Sequence, residues 1–299
     1  MAVSESPGRP AASSGAKLEH PLRIVLAYVV GMALTLGLTV EANKRIAVPA
    51  CGAVAAPTRP LAEASSRTAL FLFGYWLLVF VGRVVNHGYS NFYEMLWGCN
   101  VALFIVPLGI FLSEPRLAGA GATLVTVDQL LWWLDCGGFV VTRALKGEGK
   151  FVVGVAKYLT WPADQCSNFK KMTAFHHLWF LPVCLWALSE HGGVPAGSWL
   201  LSALMSTVLS VYCRCFTPFY SFPQPLFDKA DKAHSEPIYM NINLGHTFWK
   251  DIRWHRLHAF DGSGAVVYLA FLCLVCNVGL NLPWYICLRW LSPCGGVFP

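Results

Sequence analysis

Charge is scarce in this chain. Asp, Glu, Lys and Arg make up 13% of its 299 residues, where a soluble domain carries about a quarter. The apolar residues that take their place, 56% of the total with Ala, Tyr and Cys included, gather in long runs. That pattern excludes an ordinary soluble domain and belongs to a polytopic membrane protein. A secreted disulfide framework is excluded too, because the cysteines number 11, an odd count, and are irregularly spaced. Cys99, Cys136, Cys184, Cys273, Cys276 and Cys287 fall inside apolar runs, where a free thiol packs as a small hydrophobe. The Cys273/Cys276 C-x-x-C lies in mid-helix and reads as packing, while Cys213 and Cys215 close a run at a membrane boundary, where palmitoylation occurs. No G-x-S-x-G, P-loop, H-E-x-x-H or dinucleotide fingerprint is present. There is no internal repeat and no inverted pair of Gly/Pro-broken helices, which counts against a secondary transporter. No basic patch interleaved with aromatics occurs, so nucleic acid is not expected as a partner. The net charge of +6 sits mostly on loop Lys and Arg, which orient a membrane protein and attract anionic lipid.

What remains predicts an all-α fold: a polytopic transmembrane helix bundle of about seven spans, forming one domain over residues 21–299 behind a disordered leader at 1–20. The expected spans are Leu22–Glu41, Thr68–Val85, Glu94–Leu112, Leu117–Val141, Met172–Ser189, Ser198–Cys215 and Ala265 to about Leu288, with Pro283 kinking or ending the last. Residues 150–161, too short to span, suit an interfacial segment between lysines and Trp161. Residues 216–263 form a polar, Pro-rich and aromatic loop, long enough to cap one membrane face. The basic loop Thr142–Lys171, the Lys/Arg-free loop Glu190–Gly197 and the basic loop after it place the N terminus inside. Lys44, Arg45, Arg59 and Arg67 in the first connector run against that assignment.

Asp128 and Asp135 are the main functional pointer. They stand two helical turns apart on one face of an apolar span, on a stripe otherwise formed by Leu124 and Leu131. Carboxylates at membrane depth cost several kcal/mol unless paired or wetted. One reading is a proton-handling or substrate-binding pair; the other is hydrogen bonding between helices, with Asp135 anchoring a helix end beside Trp132 and Trp133. His176 and His177 open the fifth span. Neighbours on a helix point about 100° apart, so one of them is expected to face the bundle and partner Asp128 in acid/base chemistry, unless both are interfacial. The candidate catalytic residues are thus Asp128, Asp135, His176 and His177. Glu94, Asn100, Asn241 and Asn243 are candidates for substrate binding, each with a structural alternative in a helix terminus, helix packing or a turn. A resident metal is not expected. His246, His255 and His258 are the nearest to a ligand set, but their spacing misses the histidine boxes of membrane di-iron enzymes and equally suits an amphipathic interfacial helix.

Several short stretches resemble a family of small uncharacterised bacterial polytopic membrane proteins. They are Leu96–Asn100, the Asp-bearing fourth span, Phe175–Pro182, Asn241–Asn243 and Leu282–Tyr285, and the resemblance covers about Asn91 to Ser292. The chain departs from that pattern in having two histidines in the fifth span and Trp284 after Pro283. The resemblance implies the fold and no activity, cofactor or oligomeric state. The functional expectation is an integral membrane enzyme working on a lipophilic small molecule, in contact with the lipid bilayer. A proton-coupled transporter or channel and a non-catalytic subunit of a membrane complex are the alternatives.

Overall fold

The computed structural model describes residues 19–46, 63–163, 166–189, 192–221, 238–249 and 255–291. In order, the helices are α1 (Pro21–Arg45), α2 (Glu63–His87), α3 (Asn91–Glu94), α4 (Gly98–Phe111), α5 (Pro115–Lys146), α6 (Asn168–Ala174), α7 (His176–Ser189), α8 (Ser198–Phe216), α9 (His255–His258), α10 (Ala265–Cys273) and α11 (Leu282–Leu291). Apolar runs in lipid must satisfy every backbone polar group internally, and helices do so. The only strands among the described residues are β1 (Tyr220–Ser221) and β2 (Ile238–Tyr239), an antiparallel two-residue ladder in the loop after α8.

The described residues make seven helical passes: α1, α2, α4, α5, α6–α7, α8 and α10–α11. Six are long and apolar enough to cross a membrane. The third is not, because α4 has only 14 residues, roughly 21 Å against a hydrocarbon core of about 30 Å. The span expected from Glu94 is broken at Met95–Trp97, where the side chain of Asn243 takes over the backbone. Its Oδ1 accepts the Gly98 N–H at 2.8 Å and its Nδ2 donates to the Leu96 carbonyl at 2.7 Å.

The other passes outrun their expected ends. Helix α1 continues to Arg45, and the fifth pass starts at Asn168, capped by Ser167, whose hydroxyl accepts the Lys170 N–H. Pro283 ends nothing: the i→i+5 hydrogen bonding of a π segment at Leu274–Asn281 absorbs the missing N–H, and the helix runs on to Leu291. Residues 1–18 of the leader expected at 1–20, and the loop stretches 222–237 and 250–254, lie outside the described residues.

Helix α5 is the hub, packing against α4, α7 and α8. Lipid-facing positions such as Leu22, Leu26, Leu70 and Val140 are exposed, and the inner faces form apolar clusters. Alternating passes put the described residues of the loops 88–97, 147–167 and 217–264 at the end of the bundle that also holds the start of α1. The tight turn 112–114 and the loop 192–197 lie at the other end, where Tyr285 reaches the Pro195 carbonyl. The first end therefore carries the long, basic and aromatic loops.

Candidate functional site

Residues 150–161, expected as an interfacial segment, contain no α-helix. They fold as an irregular loop with a single 3-10 turn at Lys157–Thr160, laid over α5 by Asp135. The Asp135 carboxylate is fully buried. Its Oδ1 accepts the N–H groups of Val153 at 2.6 Å and Gly154 at 3.1 Å, and its Oδ2 accepts those of Gly154 and Ala156, both at 2.9 Å. Thr142 adds a further bond, its hydroxyl accepting the Lys150 N–H at 2.7 Å. Both Asp135 oxygens are thereby committed to backbone amides.

Asp128, two turns earlier, has a different setting. Its Oδ2 lies 3.0 Å from His177 Nε2, and its side chain keeps 42% of its exposure while that of His177 keeps 8%. The other ring nitrogen, Nδ1, is 2.7 Å from the Ala174 carbonyl. A carbonyl only accepts, so Nδ1 carries a hydrogen. Nε2 and the Asp128 carboxylate then hold one proton between them. Trp132 stacks on the His177 imidazole, with ring centroids 4.6 Å apart and planes 7° from parallel. That indole in turn meets Tyr158 of the overlying loop edge-on at 5.7 Å. Burial pushes the Tyr158 phenol well above its usual value, which keeps it a neutral O–H.

The expectation that only one of the adjacent histidines faces inward does not hold. Both are buried, with ring centroids 4.0 Å apart. The reason is a break in the fifth pass: α6 stops at Ala174 and α7 starts at His176, with tightened i→i+3 bonds across Phe175. His176 Nδ1 finds the Thr173 carbonyl at 2.7 Å, as His177 finds that of Ala174. The Nε2 of His176 is therefore an unprotonated acceptor, buried and without a hydrogen-bond partner. The fifth pass is braced here from two neighbouring helices, α2 and α5. Tyr75 donates to the Thr173 carbonyl at 2.8 Å, and Arg83 Nε donates to the Thr173 hydroxyl at 3.2 Å. Pro182, lacking an N–H, frees the carbonyl four residues back, and Leu178 there accepts the Trp133 indole N–H at 3.2 Å. Gln129 accepts the Leu181 N–H at 2.8 Å.

Cys99, in the first turn of α4, completes the cluster. Its sulfur and one ring nitrogen from each of His176 and His177 lie mutually within 4.8 Å. Reading Cys99 as a packing residue overlooked this, and Arg83 was overlooked as well. The legible signal for Cys99 was its position, one residue before a buried Asn at the start of a helix.

The remaining candidates lie around the cluster rather than in it. Glu94 pairs with Lys170 at 2.5 Å and with buried Arg83 at 3.7 Å, tying α2, α3 and α6 together. Asn100 Nδ2 donates to the Glu94 carbonyl at 2.8 Å across the α3–α4 break. Asn241 accepts the His246 and Thr247 N–H groups, holding a turn in the loop after α8. Asn241, Asn243 and Leu244 all have positive φ, a conformation that Asn tolerates best among residues with a side chain. Asn243→Ala leaves the Gly98 N–H and the Leu96 carbonyl without these bonds at a partly buried joint, for a cost of about 2 kcal/mol. Hydrogen exchange should quicken at 96–98 first; unchanged protection there rules out this account of the break.

Of the three histidines nearest to a ligand set, His246 and His258 each have another partner. His246 Nε2 meets the Thr217 carbonyl at 2.9 Å, and burial pulls its imidazole below its usual value. His258 Nδ1 pairs with Asp261 at 2.8 Å. The side chain of His255 lies outside the described residues. No family model, no curated protein and no solved structure matches the chain, so the cluster is read from its own geometry.

Proposed function

We propose that this protein is an integral membrane enzyme that acts on a lipophilic small molecule, with Asp128 as the group that takes and returns the proton and His177 as its partner. One observation carries this reading: a carboxylate–imidazole pair sharing a proton, walled by Trp132 and Tyr158, with the carboxylate side left half-exposed. A buried acid/base pair bordered by apolar surface and open on one side is what proton transfer on an apolar substrate requires. The alternative of a proton-coupled carrier has less support. Beside the cluster, α4, α5 and α7 pack mainly through Leu103, Val106, Val125, Phe180, Leu181 and Leu188, with Gln129 closed onto the Leu181 N–H.

Deletion cells complemented with wild type, Asp128→Asn or His177→Gln, compared by untargeted lipid and metabolite profiling, test the proposal. Loss of the positioned acid/base group lowers turnover by about 10²–10⁴. Both variants should therefore reproduce the deletion profile while expressing and melting normally. A wild-type profile in Asp128→Asn cells rejects the enzymatic role of this site.

A further inference from the structure

We infer that Cys99, His176 and His177 form a binding site for a divalent transition metal, zinc by donor chemistry. The inference deepens the proposed function, because the metal would sit beside Asp128 in the same cluster. Three features point to it. A sulfur and two imidazole nitrogens, lying mutually within 4.8 Å, are the borderline-soft donor set that zinc prefers over magnesium or calcium. Each histidine gives its Nδ1–H to a backbone carbonyl at 2.7 Å, the outer-shell contact that fixes a ligating imidazole with Nε2 presented. The third is the His176 Nε2 itself. It is a lone pair on a fully buried ring with no hydrogen-bond partner, where a buried polar atom left unpaired is costly. Packing alone gives no reason for an imidazole there, whereas a cation gives that lone pair its use.

The fit requires small movements. Ligand atoms around tetrahedral zinc stand about 3.3–3.6 Å apart, from bond lengths of about 2.0–2.3 Å. Closing the cluster from 4.8 Å or less takes shifts on the order of 1 Å, within reach of the Cys99 rotamer in the first turn of α4. Cys99 binds as a thiolate and His177 as a neutral imidazole. The thiol proton and the proton shared with Asp128 leave to solvent. No electron transfer is involved. His177 thereby changes from proton partner to ligand, and Asp128 becomes a free carboxylate beside the fourth position, which a water would fill. Three protein ligands and one open position make a catalytic arrangement rather than a closed structural one.

The test uses the purified full-length protein in detergent, with metal content by mass spectrometry and cobalt(II) titration followed by its thiolate charge-transfer absorption. Wild type should carry close to one zinc per chain and, once that zinc is removed by a chelator, show the cobalt band. Cys99→Ser should lose the band and most of the metal, His176→Gln should lose the metal, and Asp128→Asn should keep it. Melting curves identify any variant that fails to fold, and the wild-type cobalt band decides the matter without variants. A folded wild type that holds no zinc and gives no thiolate band overturns the metal site. So does full occupancy in folded Cys99→Ser and His176→Gln. These results are separable from the proposed function: a metal-free protein whose Asp128→Asn variant still loses its product removes only the metal, whereas a metal-loaded Asp128→Asn variant with normal products removes only the acid/base role.

Discussion

Asp135→Ala should lower the melting temperature of the purified protein by roughly 10 °C. The substitution takes the acceptor from three backbone amides at once. The N–H groups of Val153, Gly154 and Ala156 all end on its carboxylate, and the carboxylate itself is fully buried. Each buried donor left unpaired costs about 1–3 kcal/mol. Water entering from the loop side offsets part of that, leaving a net loss of about 4 kcal/mol. Asp135→Asn keeps one accepting oxygen and turns the other into a donor facing an N–H, so it should fall between alanine and wild type. Asp128→Asn should melt within about 2 °C of wild type, since that side chain is half-exposed and serves one partner. The two aspartates therefore separate: one substitution unfolds the loop, and the other preserves the fold and removes the product. If Asp135→Ala melts like wild type, the loop amides are satisfied without it, and its role is not that of an anchor.

That separation shows how far the sequence reaches. Apolar runs in lipid have few ways to satisfy their backbone, so the all-α bundle and most of its passes were legible from composition and run length. Asp128 and the two histidines were legible because ionisable groups at membrane depth need a reason to be there. Periodicity made Asp128 and Asp135 equivalent, and only their depth in the span and the neighbouring tryptophans distinguished them. What holds Asp135 is three amides of a loop with no periodic pattern, 18 to 21 residues further on. The break before α4 was equally hidden, since the Asn243 that causes it lies 145 residues away from Gly98. For His176 and His177 the 100° rule assumed an unbroken helix. The break at Phe175, braced by Tyr75 and Arg83 of α2, removed that assumption. Cys99 looked like any thiol in an apolar run, because its two partners, His176 and His177, both come from α7, far along the chain, and its depth is set by a turn.

That turn makes the second large effect predictable. A Cβ added to Gly109 would stand 2.6 Å from the Ala118 backbone nitrogen and 3.1 Å from the Glu114 carbonyl oxygen. Neither atom is a flexible side-chain end, so α4 and α5 would have to separate. The Gly109 carbonyl also accepts the Glu114 N–H at 2.7 Å, closing the turn itself. Gly109→Val should therefore cost about 3 kcal/mol or more, and its consequence extends to the cluster. From the pinned Gly109–Ala118 level, Cys99 lies ten residues back along α4 and Asp128 ten residues forward along α5. At 1.5 Å per residue both are about 15 Å from the turn, hence at one depth. Gly121, facing Val106 across the same register, repeats the close approach three residues further from the turn. Splaying the hairpin takes Cys99 away from the histidines while leaving every residue of the cluster in place in the sequence. Gly109→Val, expressed at low temperature to keep it folded, should then lose both the cobalt thiolate band and the product. Gly137→Ala on α5, where an added Cβ meets nothing within 4 Å, should retain both and gain slightly in stability from helix propensity. If Gly109→Val binds cobalt like wild type, the turn does not set the depth of Cys99, and the cluster must be held from the α6–α7 side alone.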